Sequence, residues 1–311
     1  MTKKVVSGFF VLIILCSLLA GCSFDNGDPN ENVTIYHPDY PECQTLVVKR
    51  SEVADFVEEG WYTEPVVYLY NEGGLNVFYE YEVEEALKDG WYDEPVTRLY
   101  KLNGETVLVK ESQLDEYRAD GWLTKELANC YRQYGKVLRK VINSTELSLD
   151  SKFDLIYIDD DEIPELVYRT NSSHAAGAYL YTYDYNSAVI LSYTGHDGNT
   201  YTEFGSWGNI TYKEKENLFC SGAMNQGHIY SSVYEISDFC AQKLCSFSDT
   251  TGAGFGDGQY CIDDVPVTFE EYSAKQNEYG FTDEGNYLDA LSDSSYELTE
   301  ENVTKLFGSL K

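Results

Sequence analysis

A group of carboxylates between residues 159 and 165 is the part of the chain best suited to binding a metal ion. Asp159, Asp161 and Glu165 follow an apolar stretch and are separated by short intervals. Calcium takes roughly six to eight oxygen ligands, several of them from alternate positions of one loop. These residues therefore form a candidate calcium site. An acidic hairpin turn without a metal accounts for the same residues, because aspartate favours turns.

The other residues with reactive side chains do not form a recognisable catalytic arrangement. No His-Glu-x-x-His or Gly-x-Ser-x-Gly motif occurs. The neighbours Ser173 and His174 are interpreted as loop residues, and so is the glycine run at 252–258, which lacks a following lysine. The sequence therefore assigns no catalytic residue and no cofactor except the candidate calcium. It favours a protein that is not an enzyme. The four histidines of the chain are His37, His174, His196 and His228.

Cys22 is predicted to be lipidated. The chain begins with two lysines and a short apolar stretch, and it reaches Cys22 through Ala20 and Gly21. These features are typical of a secretory signal, and the apolar part is shorter than the ~20 residues of a membrane-spanning helix. The Leu-Ala-Gly-Cys tetrapeptide resembles the lipobox of bacterial lipoproteins. The resemblance implies removal of residues 1–21 and anchoring by acyl chains such as palmitate. An ordinary cleaved signal with a chance cysteine is the alternative.

Residues 22–44 are predicted to be a disordered tether. The stretch 23–32 is polar and acidic and contains Gly and Pro, so it cannot bury enough apolar surface to fold. The predicted location is the cell membrane, with the protein lipid-anchored on its extracytoplasmic face. The lipid bilayer is thus the first predicted partner.

Cysteine usage agrees with export from the cytoplasm. Of the eight cysteines, Cys16 is predicted to leave with the signal and Cys22 to carry lipid. An exported protein can form disulfides, and we expect one or two within the cluster at 220–261, with the pairing left open. The remaining cysteines are Cys43, Cys130, Cys220, Cys240, Cys245 and Cys261.

The net charge of −31 at pH 7 restricts the partners of the protein. Binding to a phosphate backbone needs clustered lysine and arginine, and the chain has no such cluster. We therefore expect no nucleic-acid partner. The acidic balance suits a protein that stays soluble outside the cell.

A period of about thirty residues runs through residues 45–128. Each of three copies contains a short amphipathic helix followed by Gly-Trp. A glycine just past a helix can adopt the left-handed conformation of a Schellman motif, and the next residue packs back on the last turn. The predicted unit is helix–Gly-Trp–strand–turn–strand, with the third copy running into a helix. The repeated pairs are Gly60 and Trp61, Gly90 and Trp91, and Gly121 and Trp122.

The repeats resemble Gly-Trp-containing βαβ repeats of bacterial surface and phage proteins without assigned function. Two interpretations of the tryptophans stay open. The geometry of the motif explains them as part of a core, whereas an adhesion array would display them to a partner.

Residues 129–311 are predicted to form a mainly antiparallel β domain with flanking helices. Short strands separated by turn residues indicate a meander, and a capping box at Thr268 opens a late helix. The fold class is therefore α+β. The acidic stretch resembles the Asp-rich Pro-Glu-Leu signature of VCBS and FG-GAP surface proteins. Here, however, Tyr157 replaces the first aspartate and Glu162 the glycine of that loop. The domain is more similar to a family of lipoproteins from gut Firmicutes without assigned activity.

The tether, the repeats and a tyrosine-rich sheet together predict a surface binding or interaction module. Its partner would be a cell-surface protein or a glycan. A secreted glycan-active enzyme is the first alternative and would need paired carboxylates in a cleft. A structural envelope lipoprotein without a ligand is the second.

Overall fold

A computed structural model describes most of the chain and shows an α+β protein with antiparallel strands in several sheets. The predicted signal and Cys22 lie outside the described residues. The chain divides into two compact units, one reaching residue 97 and including 108–114, the other formed by 98–107 and the residues from 115 onward. The described ranges are 27–39, 42–173, 175–195, 197–206, 209–253, 258–281 and 286–309.

Three segments of similar build come first in the chain. Each contains a β-hairpin, a 3-10 turn, a two-turn helix and a Gly-Trp pair. The hairpins are β1 (Asn32–Asp39) with β2 (Glu42–Lys49), β3 (Val66–Asn71) with β4 (Gly74–Tyr79), and β5 (Val96–Tyr100) with β6 (Thr106–Lys110). The helices are α1 (Val53–Glu58), α2 (Val83–Lys88) and α3 (Leu114–Ala119), preceded by 3-10 turns at Arg50–Glu52, Glu80–Glu82 and Glu111–Gln113.

The first hairpin occupies part of the tether that the sequence predicts for residues 22–44. Strand β1 pairs with β2 along its whole length. Ile35 is fully buried and forms a small core with Val48 and Val53. The polar residues before β1 conceal this pattern in the sequence, because the apolar partners of Ile35 follow only later in the chain.

The remaining elements belong to the longer part of the chain. The helices are α4 (Lys125–Ser144), α5 (Phe269–Tyr279) and α6 (Glu300–Phe307), with a 3-10 turn at Thr251–Ala253. The strands are β7 (Lys152–Ile156), β8 (Glu165–Arg169), β9 (Tyr179–Tyr183), β10 (Ala188–Ile190), β11 (Tyr193–Thr194), β12 (Thr200–Tyr201), β13 (Ile210–Lys213), β14 (Leu218–Asn225), β15 (His228–Ser237), β16 (Cys240–Asp249), β17 (Tyr260–Ile262), β18 (Val265–Val267), β19 (Leu288–Asp289) and β20 (Tyr296–Glu297).

Two antiparallel sheets and three helices form four layers. One sheet has the order β10-β9-β8-β7-β20, and the other has the order β18-β17-β16-β15-β14-β13-β19. Their facing sides share a core that includes Leu180 and Phe219. The outer face of the five-stranded sheet packs on α4 and α6 around Tyr134 and Phe153. The outer face of the seven-stranded sheet packs on α5 through Tyr272.

Local residue chemistry sets the ends of these elements. The capping box predicted at Thr268 is confirmed: its hydroxyl accepts from Glu271 N, and its own N–H donates to Glu271 Oε2. Strands β15 and β16 are joined by Asp238 and Phe239, with φ of 48° and 59°. Two central residues with positive φ form a type I′ turn, which matches the twist of a hairpin. The two strands can therefore pair over nearly their full length.

The cysteines at 220–261 do not form the expected disulfides. All the cysteines in the described residues are free thiols. Cys220 and Cys245 both lie opposite Val233, one on each side of β15. Two strand spacings put them roughly 9–10 Å apart, whereas a disulfide needs a Cα separation of roughly 4.4–6.8 Å. Cys220 and Cys245 are therefore near in the sequence but too far apart in the sheet to form a disulfide.

Candidate functional site

The three predicted calcium residues lie in and beside the turn between β7 and β8. Glu165 is only 1% exposed, and its Oε2 accepts from Ile158 N at 2.9 Å. Asp159 accepts from Asp161 N at 3.2 Å, and Asp161 accepts from Ile163 N at 2.7 Å. These carboxylates thus satisfy the backbone of their own turn. Within the described ranges, no set of three His, Cys, Asp or Glu side chains is arranged to hold a metal, and calcium binding stays a prediction.

The loop between β13 and β14 forms hydrogen bonds with the residues that precede this acidic turn. Lys215 N donates to Tyr157 O at 3.0 Å, and Asn217 N donates to Ile158 O at 2.7 Å. The Lys215 ammonium lies 3.7 Å from a carboxylate oxygen of Glu162. An amine of the protein is therefore one source of positive charge beside the acidic turn.

Burial raises the pKa of the Glu165 carboxyl to about 8, and the nearby charges of Asp159 and Asp161 act in the same direction. Thr182 Oγ lies 3.4 Å from Glu165 Oε1. Because the charged form is poorly solvated between the sheets, the protonated form prevails below about pH 8. Glu165 thus has the environment of a structural residue that fixes the turn.

The Gly-Trp pairs close their helices with the same hydrogen bonds. Gly60 has a φ of +98° and donates to Val57 O at 3.1 Å, while Trp61 N donates to Phe56 O at 3.0 Å. These are the two bonds of a Schellman motif, and glycine adopts the positive φ without strain. Trp91 and Trp122 make the equivalent bonds to Ala86 O and Tyr117 O, also at 3.0 Å.

Each tryptophan is half-buried and covered by a different neighbour. The Trp61 ring centroid lies 5.0 Å from that of His37, and the Trp91 centroid lies 4.8 Å from that of Phe78. Lys101 Nζ lies 4.8 Å from the Trp122 centroid. The tryptophans therefore contribute to local packing and also keep part of their surface in solvent.

A cleft of about 460 Å³ lies on the seven-stranded sheet, beside the β11–β12 hairpin. The floor of the cleft belongs to the same sheet face as Phe219 and Tyr234, whose side chains are part of the core. Farther along the same face, Ser221 lies opposite Ser232, and Ser232 lies opposite Ser246. Because these side chains are small, the face leaves an open space where larger residues would fill it. The floor also includes Ala223 and Ser248.

Tyrosines form the walls of the cleft. Tyr193 and Tyr201 come from the β11–β12 hairpin and stack with ring centroids 5.7 Å apart. Tyr230 comes from β15, and its hydroxyl lies 3.0 Å from His228 Nδ1. Tyr201 is 41% exposed and Tyr230 is 44% exposed. On each side of the cleft, a tyrosine is therefore partly accessible to a ligand.

The β11–β12 hairpin is fixed at both ends. Ala241 N donates to Ser192 O at 3.0 Å, which joins the start of the hairpin to β16. Phe204 and Ala178 exchange two backbone bonds of 2.8 and 2.9 Å just after the hairpin. Tyr193 packs beneath it with its ring centroid 5.0 Å from that of Phe204. The wall of the cleft is thus held in place by the protein's own backbone bonds and ring contacts.

A glycine allows the segment after β12 to approach the sheet closely. Gly205 has a φ of +69°, and a Cβ there would lie 2.6 Å from Asn209 O and 2.9 Å from Gly222 O. Ser206 N donates to Gly222 O at 2.9 Å. This close approach brings Gly205 into the lining of the cleft.

The charges that line the cleft are mainly negative. Asp197, Glu203 and Asp264 contribute carboxylates, and Lys243 contributes an amine. The Tyr201 hydroxyl donates to Asp197 Oδ2 at 2.6 Å, which lowers the pKa of Asp197 and raises that of Tyr201. Glu203 Oε1 accepts a hydrogen bond from Gly177 N at 2.7 Å. Both carboxylates are therefore oriented by the protein.

The predicted site residues and the cleft do not coincide. The lining includes neither the calcium candidates nor a Gly-Trp pair, and His174 and His196 lie outside the described residues. The sequence does contain a pattern that belongs to the cleft, the alternation of small and aromatic residues in 221–234 and 246–248, but this pattern was not recognised as a site. Their common face follows only from the pairing register.

Comparison of the chain with protein-family models, curated proteins and solved structures found no match. In the part of the chain that the structure describes, no helix combines the length and the apolar character needed to cross a membrane.

Proposed function

We propose that the protein is a lipid-anchored extracytoplasmic module that binds a small polar ligand in the cleft. The observation that carries this proposal is a fixed cleft with a serine floor and tyrosine walls. Its volume of about 460 Å³ falls within the range of roughly 300–1000 Å³ for small-molecule sites. The lipobox-like sequence ending at Cys22 supports an anchored location. The Firmicutes lipoproteins that the sequence resembles suggest the same setting.

The charges favour binding over the alternative of a glycan-active enzyme. A glycosidase needs a carboxylic acid with a raised pKa beside a second carboxylate. In the cleft, the hydrogen bond from Tyr201 lowers the pKa of Asp197. Glu165, whose pKa is raised to about 8, is buried beside the β7–β8 turn and does not line the cleft. Asp197 is therefore suited to accept hydrogen bonds from a ligand rather than to act as a general acid.

We also propose that the three Gly-Trp segments are copies of one structural repeat. The shared Schellman bonds support this, and so does a second shared contact. The residue after each tryptophan exchanges backbone bonds with the first strand of its own hairpin: Tyr62 with Tyr36, Tyr92 with Tyr70 and Leu123 with Tyr100. The repeating unit is then hairpin, helix and Gly-Trp.

Filling the cleft tests its role in binding. Ser232→Trp places a large ring on the floor, and Ser144→Trp adds the same ring at the exposed end of α4 as a control. A thermal-shift panel of neutral oligosaccharides, choline, oligoglucosamines and dipeptides is measured on both variants and the parent. We expect at least one compound to raise the Tm of the parent and of Ser144→Trp, but not of Ser232→Trp. Equal shifts in all three proteins, or none in the parent, would reject the binding function.

A further inference from the structure

Resting on the proposed function, we infer that the ligand of the cleft is an uncharged carbohydrate, bound as a short oligosaccharide. Three features of the cleft select this class of ligand. They are the row of hydroxyls on the floor, the exposed tyrosine rings on the walls and the excess of carboxylates.

The floor presents hydroxyls in a regular row. Ser221, Ser232 and Ser246 lie opposite one another on three neighbouring strands, so their backbones are separated by roughly one strand spacing of 4.8 Å. A serine hydroxyl both donates and accepts hydrogen bonds, as do the hydroxyls of a sugar. Ser246 Oγ donates to Asp263 Oδ1 at 3.0 Å, so this hydroxyl offers a ligand its acceptor lone pairs.

The walls suit the flat face of a sugar ring. Tyr201 and Tyr230 expose 41% and 44% of their surface. A tyrosine offers an apolar ring face and a polar hydroxyl on one side chain, which matches the apolar C–H face and polar edge of a pyranose. The bond from Tyr201 to Asp197 holds one ring in position, and a preorganised side chain loses less entropy when the ligand binds.

The charges distinguish a neutral ligand from an anionic one. Asp197, Glu203 and Asp264 outnumber Lys243 in the lining. Carboxylates accept hydrogen bonds from sugar hydroxyls, whereas they repel phosphates and uronic acids. A quaternary ammonium such as choline would be attracted to tyrosines and carboxylates, but it offers only one hydroxyl to the serine row, whereas a trisaccharide offers several. The floor therefore favours a polyol over a simple quaternary cation.

The experiment compares ligand classes by isothermal titration calorimetry on the purified protein. Neutral probes are maltotriose, cellotriose, mannotriose and tri-N-acetylchitotriose, the anionic probe is trigalacturonic acid, and the cationic probes are choline and triglucosamine. Tyr201→Ala and Tyr230→Ala are measured beside Tyr81→Ala. Tyr81 is 70% exposed, lies on the turn before α2 and does not line the cleft, so it controls for loss of a surface tyrosine. Thermal unfolding confirms that each variant is folded.

We expect a neutral trisaccharide to bind with an affinity that falls tenfold or more in Tyr201→Ala and Tyr230→Ala, but not in Tyr81→Ala. Binding of only a charged probe (choline, triglucosamine or trigalacturonic acid), abolished by Ser232→Trp, would overturn the inference of an uncharged carbohydrate and leave the binding function standing. Binding of a neutral sugar that none of the cleft variants changes would overturn the assignment to this cleft. Absence of binding by every probe would overturn the carbohydrate inference, while the dipeptides of the thermal-shift panel still test the binding function.

Discussion

Glu165 illustrates how one side chain can look like a ligand in the sequence and act as a support in the structure. Its position after an acidic run suggests metal binding. Strand β8, however, is buried on both faces, with Leu166 in one core and Val167 in the other. A carboxyl in this strand is removed from water, and a backbone N–H at the start of the turn becomes its partner. Burial, not residue type, thus determines its chemistry.

The raised pKa of Glu165 predicts a pH-dependent stability. The carboxyl titrates at about 8 in the folded protein, against an ordinary value of 4.5. Its contribution is fully present below pH 4.5 and is lost as the pH rises towards 8, because the folded state binds the extra proton in that window. Denaturant unfolding should therefore show a loss on the order of 2–4 kcal/mol between pH 5 and 8 that is absent in Glu165→Gln. The exposed Glu301→Gln should keep the parent slope, and equal slopes in all three proteins would contradict the assignment.

At the scale of elements, the helix ends and hairpin turns follow from short-range chemistry, whereas the cleft follows from long strands. Strands β14, β15 and β16 continue past the aromatic core that contains Phe219 and Tyr234. The type I′ turn at Asp238 and Phe239 keeps the last two strands paired. The sheet face therefore extends beyond this core and forms the floor of the cleft, and the β11–β12 hairpin forms a wall beside it.

The Schellman geometry predicts a conformational cost at Gly90. Its φ is +87°, and no atom lies within 4 Å of a Cβ built there, so a substitution changes backbone strain alone. Gly90→Ala should destabilise the protein by about 1 kcal/mol, whereas Gly90→Asn should cost less because asparagine tolerates the left-handed region. Thermal unfolding followed by circular dichroism measures both. A Tm for the alanine variant equal to or above that of the asparagine variant would count against this geometry.

For the whole molecule, the proposed location depends on one residue, Cys22. The net charge of −31 would repel an anionic membrane surface, so stable attachment needs acyl chains, each buried CH₂ contributing ~0.8 kcal/mol. Cys22→Ser should move the protein from the membrane fraction to the soluble fraction, and mass spectrometry should find no acyl mass. Cys43→Ser, which removes a thiol from β2, serves as the control and should stay in the membrane fraction. Equal membrane attachment of both variants would remove the basis for a lipid anchor.

The sequence by itself determined the features that depend on neighbouring residues. The glycines that end α1 and α2, the capping box at Thr268 and the α+β class were predictable, because one turn of chain contains the groups that interact. Lipidation of Cys22 stays a prediction of the sequence, and it rests on a short peptide motif that needs no fold.

Only the tertiary structure decided which distant residues share a surface. Ser221, Ser232 and Ser246 face one cleft because strand register aligns them, and a shift of one residue would turn each to the opposite face. The same register separates Cys220 from Cys245 by a whole strand. Such placements depend on contacts between residues far apart in the chain, and these contacts form only when the two sheets and their helices pack together.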